Sequence, residues 1–79
     1  MDPEPVTAAQ AGSRLGRTPA TIRKWQERYA ARTLGKAERR VYYDYADLAT
    51  IDACIHRGDH VPETPELRDR LRDSYSRAA

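Results

Sequence analysis

Apolar residues recur at helical spacing in four separate stretches of the chain. In the second stretch Ile22, Trp25 and Tyr29 stand at i, i+3 and i+7, which places them along one side of an α-helix. The apolar sides of the other three stretches are formed by Ala8, Ala11 and Leu15, by Leu48, Ile51 and Ile55, and by Leu67, Leu71 and Tyr75. This pattern predicts four helices whose outer sides are polar or charged.

Capping residues mark the ends of the first two helices. Thr7, followed three residues later by Gln10, matches a capping box, and Gly16 can end the first helix with a positive φ. The pair Thr18-Pro19 begins the second helix, because threonine caps an N-terminus and proline suits the first helical position. The second helix is therefore predicted over 19–29, after a turn of about three residues, in the proportions of a helix-turn-helix.

The third and fourth helices carry similar signals. Asp44 is predicted to cap the third helix, with Asp47 at N3, where the helix dipole favours negative charge. Gly58 ends that helix after a basic last turn. Thr64 and Pro65 repeat the cap-then-proline signature and start the fourth helix, which either packs on its own chain or pairs with a second copy.

The helical periodicity stops over residues 32–43, where a Thr/Leu stretch and a Val/Tyr stretch flank a glycine-containing turn. We interpret this segment as a two-stranded β-hairpin, or wing. Arg39 and Arg40 then point to opposite faces of one strand, so only one of them is expected to meet a phosphate or a minor-groove edge. The predicted fold class is mainly α with a small β-hairpin wing, a winged helix-turn-helix with about four helices.

The chain is predicted to divide into a disordered leader (1–5), a winged helix-turn-helix domain (6–58), and a linker with the C-terminal helix (59–79). A single cysteine cannot form a disulfide within one chain, so a reduced, cytoplasmic environment is expected. The acidic, proline-containing start and the short apolar runs argue against a signal peptide and a membrane span.

Charge is distributed unevenly along the chain. Residues 14–40 carry nine Lys and Arg against two Glu, a balance of +7, whereas residues 41–79 carry five basic and eight acidic residues, a balance of −3. The first five residues add −2, which returns the net charge of +2. A basic middle between acidic flanks is typical of a surface that faces nucleic acid, and the alternative is a merely solvated run of charges.

Together these parts resemble the MerR-like winged-helix family, in particular its small one-domain bacterial and phage members. Those members are short regulators and excisionases, or recombination directionality factors. The resemblance covers roughly residues 6–55, and it is carried by Val6-Thr7-Ala8-Ala9-Gln10-Ala11, by Thr18-Pro19-Ala20-Thr21-Ile22-Arg23-Lys24-Trp25, by Arg32-Thr33-Leu34-Gly35 and by Tyr43-Asp44-Tyr45-Ala46-Asp47-Leu48.

The sequence departs from the family pattern in two respects. Family members usually place an arginine two residues before the tyrosine that leads into the last helix, whereas Val41 stands two residues before Tyr43 here. Which of Arg39 and Arg40 makes the family's wing contact therefore stays open. Full-length sensing members also carry a long dimerisation helix and a sensor region, for which 79 residues leave no room, so effector sensing is not carried over.

The resemblance implies base or phosphate contacts from Thr21, Arg23 and Lys24, with Arg28 on the DNA backbone. The chemistry agrees, because arginine can hold guanine with two hydrogen bonds and a threonine methyl group can meet thymine. Trp25 is assigned to the core, since it lies between Ile22 and Tyr29 on the buried side. The full set of predicted DNA-binding residues is Arg17, Thr18, Ala20, Thr21, Arg23, Lys24, Arg28, Lys36, Arg39 and Arg40.

The predicted function is therefore sequence-specific binding of double-stranded DNA, with a nucleoid-associated location and a role as a recombination directionality factor or a transcriptional regulator. The expected partners are DNA, a second copy through Leu67, Leu71 and Tyr75, and either an integrase or RNA polymerase. The competing hypothesis is a small protein-interaction adaptor that engages a larger complex through helix 64–77. Only the DNA-binding hypothesis predicts a steep dependence of affinity on salt.

Enzymatic and metal-binding functions are not expected. Cys54 and His56 lie about 200° apart on a helix, and with His60 they do not supply the four converging ligands of a structural zinc site. No nucleophile with a placed base and no phosphate-binding glycine loop is recognisable, so no catalytic residue and no cofactor is assigned.

Overall fold

Four helices and three short strands follow one another along residues 3–78, the part of the chain that the computed structural model describes. In chain order they are β1 (Pro5–Val6), α1 (Ala8–Leu15), α2 (Pro19–Tyr29), β2 (Thr33–Ala37), β3 (Arg40–Asp44), α3 (Tyr45–Arg57) and α4 (Pro65–Ala78). The strands form one antiparallel sheet in the order β1-β3-β2. This mainly helical arrangement with a hairpin between α2 and α3 is a small winged-helix-like fold, and it confirms the predicted fold class.

The predicted caps start the helices. The Thr7 hydroxyl accepts a hydrogen bond from the Gln10 backbone N–H at 3.1 Å, and the Gln10 side chain accepts one from the Thr7 N–H at 2.9 Å. This reciprocal pair satisfies two of the donors that a helix N-terminus leaves open. Thr18 caps α2 in the same manner by accepting from the Thr21 N–H at 3.2 Å, and α2 has the predicted bounds.

The turn between α1 and α2 depends on Gly12, which sequence reasoning did not single out. The Arg17 N–H donates to the Gly12 carbonyl at 2.8 Å, so the backbone of the turn folds directly over this residue. A Cβ atom at position 12 would lie only 2.5 Å from the Arg17 carbonyl oxygen. Glycine is needed here because the chain approaches the helix too closely for any side chain.

The hairpin turn differs from the predicted glycine-containing turn. Glu38 and Arg39 form the turn, with φ of 51° and 66°, and the flanking residues Ala37 and Arg40 are paired. Positive φ at both central residues is the pattern of a type I′ turn, whose twist matches that of the strands. The prediction of a glycine-containing turn is therefore wrong, because Gly35 lies within β2 beside a register irregularity.

A third strand extends the sheet beyond the predicted hairpin. Val6 pairs with Tyr43 and Pro5 with Asp44, and the Glu4 carbonyl accepts a hydrogen bond from the Tyr45 N–H at 3.0 Å. The prediction that residues 1–5 form a disordered leader is therefore wrong for residues 4 and 5. Residues 1 and 2 lie outside the described part of the chain.

The core lies between α1, α2, α3 and the inner face of the sheet. Ile22, Leu48 and Ile51 are fully buried, and Val6 and Tyr43 close the core from the sheet. Helix α4 packs on α3 of its own chain. Its fully buried side chain is Arg68. Within residues 3–78, no helix combines the length and the apolar character that crossing a membrane requires.

Candidate nucleic-acid interface

Helix α2 buries its apolar side and exposes its charged side. Ile22 is fully buried and Trp25 is 5% exposed, which confirms that the tryptophan belongs to the core. On the opposite side Arg23, Lys24 and Arg28 are exposed. Helix α4 does not cover this charged side, since it packs against α3 and the C-terminal end of α2.

The N-terminal end of α2 is held by a pair of threonines. The Thr18 hydroxyl lies 3.0 Å from the Thr21 hydroxyl and also caps the helix, so both side chains are already engaged in local hydrogen bonds. Thr18 and Ala20 are exposed, whereas Thr21 is half-buried. These three predicted DNA-binding residues therefore stand at the start of the same helix that carries the exposed cations.

The hairpin is fixed to α2 through Tyr43. The buried Tyr43 hydroxyl donates a hydrogen bond to the Gln26 Oε1 atom at 3.2 Å, which connects β3 to the side of α2. Burial raises the pKa of the Tyr43 phenol, and the positive charge of the nearby Arg23 opposes that shift. Tyr43 therefore joins the hairpin to the same core on which α2 packs.

The strand register assigns the wing cations to different places. Lys36 pairs with Val41, so it shares the face of the hairpin on which Tyr43 meets α2. Arg40 pairs with Ala37 and lies on the opposite face. Arg39 belongs to the turn and not to a strand, so the expectation that Arg39 and Arg40 occupy opposite faces of one strand is wrong.

Three of the nine cationic residues in segment 14–40 form ion pairs with carboxylates. These pairs are Arg14 with Glu4, Arg17 with Asp52 at 2.7 Å, and Arg32 with Asp69 at 2.9 Å. The other six cations are exposed and have no carboxylate within 4 Å among residues 3–78. We call these six residues the cationic surface: Arg23, Lys24, Arg28, Lys36, Arg39 and Arg40.

The cationic surface is confined to α2 and the hairpin. Its six positive charges are opposed locally by Glu27 on α2 and Glu38 in the turn, which leaves a balance of +4. Two elements that are next to each other in the fold therefore present most of the positive charge that the sequence concentrates in segment 14–40. Such a concentration attracts a polyanion.

Arg17 is a predicted DNA-binding residue, but its guanidinium is engaged in contacts within the chain. Its Nε donates to Asp52 Oδ1 of α3 at 2.7 Å, and its guanidinium lies 5.7 Å from the centre of the Trp25 ring. Arg17 therefore ties the turn before α2 to α3 and covers the tryptophan. Its partner Asp52 is 35 residues away in sequence, so no local pattern indicated this contact.

The apolar stripe predicted on α4 does not form one exposed surface. Leu67 is 43% exposed and Tyr75 is 48% exposed, but Leu71 packs against the core. The Tyr75 hydroxyl accepts a hydrogen bond from Arg57 of the same chain at 2.7 Å. Tyr75 is thus engaged within the chain, and Leu67 is the member of the stripe that stays exposed with no such contact.

The three residues considered for metal binding differ in their exposure to solvent. Cys54 is buried, with 1% of its surface exposed, whereas His56 and His60 are exposed. In the part of the chain that the structure describes, no three His, Cys, Asp or Glu side chains converge as a metal site.

The chain was compared with known proteins at three levels. No protein-family model matches it. The search of curated proteins and the search of solved structures likewise found no significant match. Function is therefore inferred from the geometry above.

Proposed function

We propose that this protein binds double-stranded DNA in a sequence-specific manner, with α2 in the major groove and the hairpin on the adjacent minor groove or backbone. The observation that carries the proposal is the cationic surface, because its six exposed charges have no carboxylate partner in residues 3–78 and lie on one helix and one hairpin. Helix α2 has 11 residues, and an α-helix with its side chains is about 10–12 Å in diameter, so a major groove about 12 Å wide admits it.

The side chains on α2 suit this role chemically. Arg23 can donate two hydrogen bonds to the edge of a guanine, and Lys24 can place a mobile charge near a phosphate. Arg28 stands near the C-terminal end of α2, from which it can reach the backbone. The wing cations extend the charged surface beyond the helix. There they can contact phosphates, and such contacts fix the position and orientation of a protein on the duplex.

Within this function we propose a relationship to the MerR-like winged-helix family and a role in a bacterium or phage. The role is that of a recombination directionality factor, which works with an integrase, or of a transcriptional regulator, which works with RNA polymerase. One small domain contacts only a short half-site, so either role calls for several copies on repeated sites or for a dimer. Such a protein would be found in the nucleoid.

The proposal is tested by titrating labelled duplex DNA with the protein at several salt concentrations. We expect the logarithm of the affinity to fall linearly and steeply with the logarithm of the salt concentration. The double variant Arg23→Ala/Lys24→Ala should bind at least about tenfold more weakly. The matched control is Arg70→Ala/Arg77→Ala, which removes the same charge from exposed positions on α4. Equal losses in the two double variants would show that α2 is not the DNA-reading helix.

Footprinting on genomic or element DNA separates the two roles. Tandem direct repeats beside an attachment site would support the recombination role, because copies of one domain then lie in the same orientation. A palindrome over a promoter would support the regulatory role, because it mirrors a two-fold symmetric dimer.

A second candidate function rests on the exposure of Leu67 on α4. In this alternative the protein is a small adaptor whose C-terminal helix contacts a larger complex. An apolar contact through Leu67 responds little to salt, so the salt titration distinguishes this function from DNA binding.

A further inference from the structure

Glu27 occupies the centre of the charged side of α2. It follows Arg23 by four residues and Lys24 by three, so the three side chains are neighbours on the helix surface. Glu27 is exposed, and its carboxylate forms no ion pair or hydrogen bond with another side chain between residues 3 and 78. An exposed and unpaired negative charge thus lies within the cationic surface.

Helix stability gives this position little support. Glu27 lies near the C-terminal end of α2, where the helix dipole disfavours negative charge. The order of Arg23 before Glu27 is also the less favourable orientation for a helical ion pair. A carboxylate on the side of a helix that approaches phosphates weakens binding to every sequence alike unless it gains a specific partner. Positions that break local rules in this way are commonly functional.

We propose that Glu27 determines sequence specificity by accepting a hydrogen bond from the exocyclic amine of a cytosine in the major groove. Cytosine presents its N4 amine there with no acceptor on the same base, whereas the adenine amine lies beside the N7 acceptor, which repels a carboxylate. This inference rests on the proposed DNA-binding function and adds a base preference to it.

The spacing on α2 gives the position of that cytosine. Glu27 lies four residues beyond Arg23, which is about 6 Å along the helix axis. Successive base pairs are about 3.4 Å apart. When α2 follows the groove, the base pair that Glu27 reads therefore lies about two base pairs from the one that Arg23 reads.

The experiment is a selection of binding sites from random duplex DNA, carried out in parallel with the wild-type chain, Glu27→Ala, Glu27→Gln and the control Asp73→Asn. The control removes one exposed negative charge from α4. Wild type should enrich cytosine at one position. Glu27→Ala should lose that preference alone, and Glu27→Gln should shift it toward adenine, which glutamine reads with two hydrogen bonds. Asp73→Asn should select the wild-type motif.

Affinities for the selected site and for the same site with that one base pair changed complete the test. Wild type should prefer the selected site by about 5- to 10-fold, and Glu27→Ala should bind both with equal affinity. If Glu27→Ala binds more tightly to all sequences and selects the wild-type motif unchanged, Glu27 only repels phosphates and the proposal is overturned. A wild-type chain that enriches no sequence would overturn the proposed function itself, and this inference with it.

Discussion

Arg68 of α4 and Asp47 of α3 form an ion pair in which neither side chain is exposed to solvent. Arg68 Nε and Nη2 donate to the two carboxylate oxygens at 2.6 and 2.8 Å. The remaining donors of the guanidinium reach the carbonyls of Tyr29, Ala30 and Pro62 at 3.0, 3.4 and 2.8 Å. Arg68 therefore joins α4 to α3 and to the last carbonyls of α2, where a positive charge also suits the helix dipole.

Replacing Arg68 by methionine should lower the free energy of unfolding by about 3–5 kcal/mol, because it leaves the Asp47 carboxylate buried without its partner. The measurement is urea denaturation followed by the fluorescence of Trp25, the single tryptophan, which is buried in the folded chain. Arg70→Met on the same helix is the control, since Arg70 is exposed and its loss should change stability by less than about 0.5 kcal/mol.

Removing both charges together measures the energetic coupling between Arg68 and Asp47. The double variant Asp47→Leu/Arg68→Met should lose less stability than the sum of the two single variants, because no buried charge remains. It should still be less stable than wild type, since the Arg32 N–H also donates to Asp47 at 2.8 Å and loses that acceptor. Strictly additive effects would contradict the direct coupling of Arg68 and Asp47.

The parts of the fold that local chemistry controls were predictable from sequence. The Thr7 and Thr18 caps and the start of α2 follow from side chains within three residues of each helix start. Strand β1 was not predictable in this way, because its two residues are held by pairing with β3, about 38 positions further along the chain. The Glu38-Arg39 turn was missed because neither residue is one of the usual turn formers.

The cationic surface was predictable in its location but not in its detail. The charge balance of residues 14–40 indicated a cationic segment, yet Arg17 and Arg32 are paired with carboxylates 35 and 37 positions away. Arg68 was missed because a search for apolar periodicity treats a charged residue as exposed, whereas here it is buried by a partner on another helix. Such pairings depend on tertiary structure, which no single stretch of sequence encodes.

Replacing Gly12 by alanine should destabilise the protein by about 1–3 kcal/mol. Helix propensity alone predicts the opposite, a gain of about 1 kcal/mol, because alanine is the better helix former. The steric contact should dominate, since the added Cβ would stand 2.5 Å from a backbone oxygen that has little room to move. Thermal or urea unfolding of the wild type and the Gly12→Ala variant shows whether the substitution lowers or raises the free energy of unfolding. Ser13→Ala, at the exposed neighbouring position of α1, is the control and should be neutral or slightly stabilising.

Asp69 should make stability depend on acid pH. Hydrogen bonds from the Arg32 guanidinium lower the pKa of Asp69 below its ordinary value of 3.8, against the opposing effect of partial burial. A carboxyl group with a lowered pKa in the folded state contributes stability above its unfolded pKa and loses that contribution as the pH falls through the folded value.

The measurement is the free energy of unfolding of wild type and Asp69→Asn between pH 7 and pH 2. Wild type should be the more stable at neutral pH, and the difference between the two proteins should shrink as the pH falls below 3.8. Comparing the pair at each pH cancels the titration of the other carboxylates. A difference that is constant across this range would show that Asp69 does not carry a lowered pKa.

The wing cations should differ in their effect on DNA affinity. Lys36 lies on the hairpin face that meets α2, and Arg39 lies in the turn at the end of the hairpin, whereas Arg40 lies on the face directed away from α2. On the proposed function, Lys36→Ala and Arg39→Ala should therefore weaken binding more than Arg40→Ala. Each lost phosphate contact should reduce the magnitude of the salt slope by about 1.

The comparison is made by titrating one DNA duplex with each single variant at several salt concentrations. Arg70→Ala on α4 removes the same charge far from the hairpin and reports the effect of net charge alone. Arg40→Ala should lie closer to this control than Lys36→Ala and Arg39→Ala do, in both affinity and salt slope. If Arg40→Ala instead causes the largest loss, the DNA must lie against the outer face of the sheet, because that is the face from which Arg40 and Tyr42 project.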